Sequence, residues 1–384
     1  MTKTGWEVWG LVWAVLWGLA PAAWATEFAI VGPRALGMGG AGVATTSDAL
    51  ATYWNPAGLV MSQSVDVHVQ ALTHLVDRLG VQDTLDDIDN IDLTSATLED
   101  ANAGAVALGR LIDRLNVPGA SVSAIATGGV YFKGRYGEQA YGLNVSDVAT
   151  AGLFVPTPLS FTQNGTTLTI NGQLAAEGLE ARQVGLSWAY ALQDRTYAIG
   201  TTLKVIQGVT YAASLKTSDT DGDFDFVEGL DEGKVDTAVS LDVGALYRPA
   251  SWLRFGLVWK EINRPSFDTP TGRSVALDPQ IRGGVAFNPW ETMTLAVDGD
   301  LTSNKTLVPG VRSRTMSIGA EQTLLSQLLA LRVGVLKNME DDDSKVTTTG
   351  GVGLRLWALH VDLGAGYDFE ERQALVSASL FLTF

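Results

Sequence analysis

Apolar residues alternate with small or polar residues at a period of two along much of the chain, from about residue 120 to the last residue. In residues 235–248, for example, Val239 and Leu241 lie on one face of the repeat, and Ser240 and Asp242 lie on the other. Successive side chains of a β-strand point to opposite faces, so the repeat predicts strands with one apolar and one polar face. Runs of about ten such residues are typical of a transmembrane β-barrel.

The chain contains fourteen runs of this kind, and single-chain bacterial barrels have an even number of strands. The fourteen runs span residues 65–75, 121–133, 137–146, 181–191, 196–211, 235–248, 252–263, 280–287, 292–302, 313–322, 329–338, 346–357, 360–369 and 373–384. Short connections alternate with longer ones, as periplasmic turns alternate with outer loops in such barrels. The short connections are 134–136, 192–195, 249–251, 288–291, 323–328 and 358–359. These features together predict an all-β fold, a fourteen-stranded antiparallel transmembrane barrel.

A soluble β-sandwich is the alternative to this barrel. In a sandwich core the aromatic residues would concentrate in mid-strand, whereas Trp252, Trp290 and Trp357 fall near the ends of the predicted strands. Aromatic residues near strand ends form the girdles that meet the two membrane interfaces. The barrel is therefore the favoured interpretation.

The first 25 residues have the layout of a secretory signal peptide. Lys3 precedes an apolar run over residues 8–17, and Ala23-Trp24-Ala25 follows as an A-x-A cleavage site. The alternative is an uncleaved anchor helix, but the apolar run is short for a span of about 20 residues. We expect the mature chain to begin at Thr26 and to reach the outer membrane of a Gram-negative-type bacterium.

Composition excludes several classes of function. The net charge of −16 repels nucleic acid, so we expect no nucleic-acid partner. The absence of cysteine excludes thiol redox and thiolate metal sites, and three histidines leave little for metal or acid–base chemistry. No nucleophile elbow, zinc-binding H-E-x-x-H or phosphate loop occurs, so we predict that the protein is not an enzyme.

Two segments outside the strand pattern carry predictions of their own. Apolar residues at helical spacing, among them Leu108 and Ile112, predict an amphipathic helix near 96–115 in the first outer loop, over the barrel mouth. A later outer loop places carboxylates at alternate positions, which could converge on one Ca²⁺ ion or could form a solvated acidic loop. These candidate metal ligands are Asp219, Asp221, Asp223 and Asp225.

The N-terminal segment is rich in glycine. Residues 37–42 satisfy the G-x-G-x-x-G dinucleotide fingerprint, but no strand precedes them and no helix follows, so we expect no cofactor there. Glycines would instead allow tight turns in a crowded lumen. Asn55 can bond to its own turn, which Pro56 and Gly58 help to form. Arg34 and Asp48 are expected either to pair with lumen charges such as Asp242 or Arg355, or to remain solvated.

Residues 34–59 resemble the N-terminal hatch of the FadL-type long-chain fatty acid transporter superfamily, which includes PorV-like proteins and a branch named after the conjugal transfer protein TraF. The matching positions are Arg34, Gly37, Gly39, Gly40, Gly42, Asp48, Asn55, Pro56 and Gly58. The resemblance implies a plug over residues 26–60, a barrel over residues 61–384 and a hydrophobic ligand. The helical first loop and the long third-to-fourth connection match the TraF branch better than the fatty acid transporters. Lack of cysteine excludes the unrelated thioredoxin-like protein of the same name.

Two functions remain open from the sequence. The first is passive uptake of a hydrophobic small molecule through a plugged barrel in the outer membrane. The second is a platform or shuttle that binds proteins of a secretion or conjugation apparatus. An apolar cavity joined to an opening in the wall would favour uptake, and a solid lumen with large ordered outer loops would favour the platform.

The last strand predicts how the barrel is assembled. Leu380, Leu382 and Phe384 alternate on one face and end on an aromatic residue, which resembles the signal that the barrel assembly machinery recognises. We expect deletion of Phe384 to lower the amount of folded protein in the outer membrane, measured as heat-modifiable gel migration of membrane fractions. An unchanged level would contradict this role.

Overall fold

The computed structural model describes residues 28–62, 64–78, 97–117, 119–216, 233–270, 274–306, 311–340, 345–368 and 373–384. The predicted signal peptide and the acidic loop over 219–225 lie outside these residues.

Fourteen long strands form one closed antiparallel barrel, in which sequence neighbours pair and β1 pairs with β18. The barrel strands are β1 (Asp66–Asp77), β2 (Ser121–Tyr136), β3 (Gln139–Asn164), β4 (Thr167–Leu192), β5 (Tyr197–Lys216), β6 (Lys234–Ala250), β7 (Leu253–Lys260), β10 (Gln280–Trp290), β11 (Met293–Asp300), β14 (Thr315–Leu324), β15 (Leu329–Asn338), β16 (Thr347–Leu356), β17 (Leu359–Asp368) and β18 (Gln373–Thr383). Two short hairpins lie in the connections. They are β8 (Ser266–Asp268) with β9 (Ser274–Ala276), and β12 (Asn304–Lys305) with β13 (Arg312–Ser313).

The fourteen-stranded prediction is confirmed, since each predicted run overlaps one barrel strand. Closure is complete, because β1 and β18 pair from Asp66 opposite Thr383 to Val76 opposite Gln373. An open edge would leave unpaired backbone N–H and C=O groups facing hydrocarbon, which a bilayer does not tolerate.

The two faces of the wall follow the alternation in the sequence. On β6, Val239 and Leu241 are exposed on the outside, while Ser240 and Asp242 are buried inside. Exposed aromatic residues such as Trp252, Trp290 and Trp357 lie near the short turns. An apolar outer face with a polar interior is the reverse of a soluble protein and suits contact with lipid.

The connection between β3 and β4 differs from the prediction. We expected β3 to end at residue 146 and a loop to cover 147–180, but pairing continues to Asn164 opposite Thr167. Pairing of β2 with β3 ends at Phe154 and pairing of β4 with β5 ends at Gln173, so the tip is a two-stranded hairpin beyond the wall. This part carries no outward apolar alternation, which explains why hydrophobic periodicity missed it.

The predicted loop helix is present at Leu98–Leu115 and packs against this hairpin. The Thr97 hydroxyl accepts a hydrogen bond from the Asp100 N–H and caps the first turn. Leu108, Leu111 and Ile112 form a buried cluster with Leu159 and Leu168 of the hairpin. Within the described part of the chain, no helix has the length and apolarity needed to cross a membrane.

Residues 28–62, here called the plug segment, lie inside the barrel and are buried along almost their whole length. The segment contains two short helices, Pro33–Gly37 and Ala51–Trp54, and a 3-10 helix, Pro56–Val60. The first helix contacts the β15–β18 side of the wall, and the 3-10 helix contacts mainly β4, β5 and β6. The plug segment therefore touches both sides of the lumen.

The β1–β18 closure can be tested with a disulfide, because the chain has no cysteine of its own. Val69 lies opposite Leu380 and both side chains point outward, so Val69→Cys with Leu380→Cys should form a cross-link on oxidation. The measurement is faster migration of the denatured chain on a non-reducing gel. Val69→Cys with Val376→Cys is the control, since Val376 pairs four residues further along, roughly 13 Å away. Equal cross-linking of the two pairs would contradict the register.

Candidate functional site

On the β14–β15 side of the lumen, the backbone of the plug segment contacts the backbone of the wall. A Cβ on Gly39 would collide with the carbonyl of Val335, and a Cβ on Gly319 would collide with the carbonyl of Met38. Gly39 and Gly40 also have φ values of 69° and 90°, which side chains disfavour. Glycine on both the plug and the wall is therefore what lets the two backbones touch.

Among the other motif glycines, Gly42 and Gly58 serve the packing of the plug segment itself, and Gly37 contacts the wall. A Cβ on Gly42 would enter the ring of Trp54, and one on Gly58 would collide with the carbonyl of Thr46. Gly37 lies against Gly351 of β16, where a Cβ would be 3.1 Å from the Gly351 Cα. A larger residue at any of these positions would displace the plug segment from its observed position in the lumen.

An ionic chain joins the plug segment to three wall strands. Arg34 donates two hydrogen bonds to the Glu321 carboxylate on β14, at 2.9 and 2.6 Å. Arg332 on β15 donates to the same carboxylate at 2.7 Å and to Asp362 on β17 at 2.8 Å. The negative charge of Glu321 raises the pKa of the Arg34 guanidinium above its ordinary value. Alternating charges thus hold the first plug helix in place.

A second polar contact holds the glycine-rich turn. One carboxylate oxygen of Asp298 accepts hydrogen bonds from the N–H groups of Gly42 and Val43, both at 2.8 Å. Arg282 donates to the Gly40 carbonyl at 3.2 Å and to Asp300 at 2.7 Å. Buried backbone groups of the turn thereby find partners on the wall.

The polar groups of the Asn55-Pro56 turn also have hydrogen-bond partners in the plug segment and on the wall. The Asn55 side-chain oxygen accepts from the Ala57 N–H at 3.2 Å, as its turn-forming role requires. Its amide nitrogen donates to the carbonyls of Val43 at 3.2 Å and Ala245 at 3.1 Å. Asn55 therefore joins two parts of the plug segment to β6.

Aromatic residues fill the centre of the plug segment. Phe28, Tyr53 and Trp54 pack with ring centroids 5.4 to 5.9 Å apart. The Tyr53 hydroxyl donates to the Ala29 carbonyl at 2.7 Å, and the Trp54 indole donates to the Val31 carbonyl at 2.8 Å. Burial raises the pKa of Tyr53 well above its ordinary value. The cluster ties the start of the plug segment to its second helix.

A third charged cluster lies on the opposite wall, beside a cavity. Lys204 on β5 binds Asp242 at 2.9 Å and Glu261 at 2.5 Å. Lys260, at the end of β7, places its ammonium 3.3 Å from the Tyr53 ring centroid and 4.6 Å from that of Phe28. Both lysines are buried.

The cavity lies between the plug segment and the wall and is partly open to solvent. Its lining combines apolar side chains from several strands with polar side chains that include Thr150, Gln183 and Lys260. The lining residues are Ala29, Tyr53, Ile125, Val148, Thr150, Leu179, Ala181, Gln183, Ile206, Lys260, Glu261, Leu277 and Gln280.

The two pairs named as examples from the sequence do not form, although Arg34 does pair with a charge of the lumen face. Arg34 pairs with Glu321 and not with Asp242, which Lys204 occupies. Asp48 accepts a hydrogen bond from the Leu50 N–H at 2.8 Å, while Arg355 is exposed and donates to Gln327 at 3.1 Å. The sequence shows that these charges face the lumen, but depth and rotation around the barrel decide which of them meet.

The sequence also missed the wall residues that hold the plug segment. Glu321, Arg332, Asp298, Arg282 and Lys260 lie on predicted strands and were not singled out. The available signal was their charge on the lumen face of a strand, since buried charges need partners.

Leu380, Leu382 and Phe384 point outward at the end of the barrel, with 49%, 37% and 72% of their surface exposed.

Comparison with known protein families identifies the family of this chain. Residues 52–300, well over half of the chain, match the model described as "F plasmid transfer operon, TraF, protein". The chain belongs to this TraF family. The match begins within the plug segment and extends through β11. Among curated proteins, none matches the chain in sequence.

Solved structures share the architecture of this TraF family member at low identity. The CymD monoaromatic hydrocarbon channel is 13% identical, with a TM-score of 0.55 and coverage of 94% of this chain and 98% of that one. The Ralstonia pickettii toluene transporter TbuX is 15% identical, with a TM-score of 0.52 and coverage of 92% and 97%. A Pseudomonas aeruginosa FadL homologue is 11% identical, with a TM-score of 0.55 and coverage of 94% and 99%. The likeness confirms the FadL-type fold and extends over nearly the full length of each chain.

The ionic chain predicts a role for Arg34 in seating the plug segment. Arg34→Met keeps the length of the side chain but removes two hydrogen bonds to Glu321, a loss of roughly 1–3 kcal/mol for bonds to a charged group. We expect a lower unfolding temperature in detergent and more frequent opening in planar bilayers. Arg182→Met is the matched control, because Arg182 forms a similar two-bond pair with Glu180 on the outside of the wall. Identical behaviour of the two variants would contradict the seating role.

Proposed function

We propose that the protein is an outer-membrane channel that admits a hydrophobic small molecule passively, with the plug segment as its gate. The observation that carries the proposal is the placement of this segment inside a closed barrel, next to a cavity. A molecule would enter the cavity by affinity, and movement of the plug segment would release it to the other side. No catalytic step is part of this proposal.

The plug contacts support gating because they are specific but not covalent. The first plug helix is held by Arg34 and its ionic chain, and the glycine-rich turn is held by Asp298. The remaining contacts combine further hydrogen bonds, such as that of Asn55 to Ala245, with close packing, in which small shifts lose many weak attractions together. Such a segment can have two discrete positions, one that fills the lumen and one that leaves a path.

The names of the solved structures support the class of ligand. They describe a monoaromatic hydrocarbon channel and a toluene transporter. The apolar part of the cavity, which includes Ile125, Leu179 and Ile206, is compatible with a hydrophobic molecule.

A second candidate function is a platform or shuttle for a secretion or conjugation apparatus. The family description refers to a plasmid transfer operon, and the protruding β3–β4 hairpin with its packed helix offers an ordered surface beyond the wall. Lipid-resolved mass spectrometry of the protein purified in mild detergent separates the two functions. A co-purifying apolar ligand favours uptake, and a ligand-free lumen with stably bound proteins favours the platform.

Further proposals complete this function. Outer-membrane lipid and the barrel assembly machinery are the proposed partners, the latter through Leu380, Leu382 and Phe384. For the acidic loop with Asp219, Asp221, Asp223 and Asp225, which lies outside the described residues, the two proposals are Ca²⁺ binding and a solvated loop without an ion.

The gate is tested by removing residues 34–58. Fourteen strands enclose more space than their own side chains fill, so the truncated barrel should assemble and conduct ions or admit large antibiotics. Conductance in planar bilayers is the measurement. A deletion of residues 160–169 at the hairpin tip serves as control and should leave the channel closed. Equal conductance of the intact and plug-deleted proteins would show that the segment is no gate.

A further inference from the structure

Three basic residues lie close together on the outer face of the wall, at the ends of β14 and β15 away from the short turn that joins them. Arg312, Arg314 and Met316 are exposed at alternate positions, so they share the outward face of β13 and β14. Lys337 of β15 lies opposite Met316 and is therefore a diagonal neighbour of Arg314. Arg312, Arg314 and Lys337 are here called the basic cluster.

The basic cluster lies at the outer boundary of the lipid-facing belt. Leu324 ends β14 beside the short turn, and Arg314 lies about ten residues away, which is the length of strand that crosses a bilayer. Exposed apolar side chains such as Ile318 and Val335 cover the wall between these two levels. The exposed ring of Tyr367 also lies near the outer end of its strand, as expected of an aromatic girdle.

Within the described parts of the chain, no carboxylate neutralises the basic cluster. The Arg312 guanidinium donates a hydrogen bond to the Ser303 hydroxyl at 3.3 Å, and that of Arg314 donates to the Asp300 backbone carbonyl at 3.2 Å. Lys337 has no hydrogen bond or ion pair with any described residue. Each guanidinium is therefore oriented by one neutral acceptor and keeps further N–H donors for a partner.

Several other basic residues near the outer ends of the strands have a carboxylate partner. These pairs are Arg182 with Glu180, Lys234 with Asp268 and Arg264 with Asp278, with N–O distances of 2.7, 2.9 and 2.7 Å. In a chain of net charge −16, three adjacent cations without such a partner form a local site for an anion. The position of the site at the edge of the lipid-facing belt favours an anion that belongs to the membrane.

One side chain holds the backbone that carries the two arginines. The Asn338 amide nitrogen donates to the Arg312 carbonyl, and its oxygen accepts from the Arg314 N–H, both at 2.8 Å. These bonds continue the contact between the strands after their regular pairing ends at Thr315 opposite Asn338. Donors that are already held in position lose less conformational entropy when they bind a partner.

We propose that the basic cluster binds the phosphate groups of lipid A, the phosphorylated glycolipid of the outer leaflet of a Gram-negative-type outer membrane. The phosphate oxygens accept hydrogen bonds from the two guanidinium groups and from the Lys337 ammonium. The acyl chains lie against exposed apolar side chains such as Ile318 and Val335. The inference goes beyond the proposed uptake and gives the proposed lipid partner a site, in which the cavity and the plug segment take no part.

Binding is measured by native mass spectrometry of the full-length protein in mild detergent, titrated with bisphosphorylated lipid A in the presence of EDTA. Dephosphorylated lipid A and inorganic phosphate are the comparison probes. The triple variant Arg312→Gln, Arg314→Gln, Lys337→Gln should bind lipid A about a hundredfold more weakly, since each basic residue near an anionic membrane surface contributes roughly fivefold. The unaltered protein should bind dephosphorylated lipid A equally weakly and should not bind free phosphate at the same concentrations.

Two further variants locate the effect. The triple variant Arg182→Gln, Lys234→Gln, Arg264→Gln is the matched control, because it removes the same charge from residues outside the basic cluster. It should bind lipid A as the unaltered protein does. Asn338→Ala keeps all three charges but releases the backbone of the arginines, so it should weaken binding less than the loss of the cluster does. Heat-modifiable gel migration verifies that each variant is a folded barrel.

The proposal is overturned if the folded cluster variant binds lipid A as tightly as the unaltered protein, or if dephosphorylated lipid A binds as tightly as lipid A. Equal binding of free phosphate rejects the lipid as the partner. Binding that appears only when EDTA is replaced by Mg²⁺ assigns the contact to bridging cations and also rejects the proposal. The uptake function does not depend on these outcomes, since the conductance of the plug-deleted barrel tests it separately.

Discussion

The structure depends on one constraint, which is that every backbone N–H and C=O group facing lipid must be paired within the protein. A β-sheet meets this requirement only when it closes, and here β1 and β18 complete the ring. Closure then fixes the other features. It places apolar side chains outside and small or polar side chains inside, and it encloses a lumen that fourteen strands do not fill by themselves. The plug segment occupies this space.

The backbone N–H and C=O groups of a segment buried inside the lumen must also be hydrogen-bonded. The turns of the plug segment pair many of their backbone groups internally, and the wall supplies partners for others, such as Asp298 for the amides of Gly42 and Val43. Charged residues on the inner face are then paired across strands, as Glu321 is with Arg34 and Arg332. Lys260 differs from these residues, since its ammonium lies against the rings of Tyr53 and Phe28 at the edge of the cavity.

Much of this arrangement could be predicted from the sequence, because the side-chain periods of strands and helices are local properties. The alternation over 235–248 identified β6 and its two faces, and the spacing of Leu108 and Ile112 identified the loop helix. The extension of β3 to Asn164 was missed, since its tip stands beyond the wall and carries no lipid-facing pattern. Its apolar residues, such as Leu159 and Leu168, face the loop helix and not lipid.

The sequence by itself determined the number of barrel strands, the apolar face of each strand and the composition of the plug segment. All three depend on the order of residues along the chain. Only the tertiary structure decided which groups meet across the lumen. Arg34 and Glu321 are 287 residues apart, and their contact depends on the closure of the barrel and the seat of the first plug helix. Likewise, strict alternation after Lys260 would point Glu261 outward, and a single left-handed backbone conformation turns it inward beside Lys260. Contacts of this kind depend on depth, rotation and local dihedral angles, which periodicity does not encode.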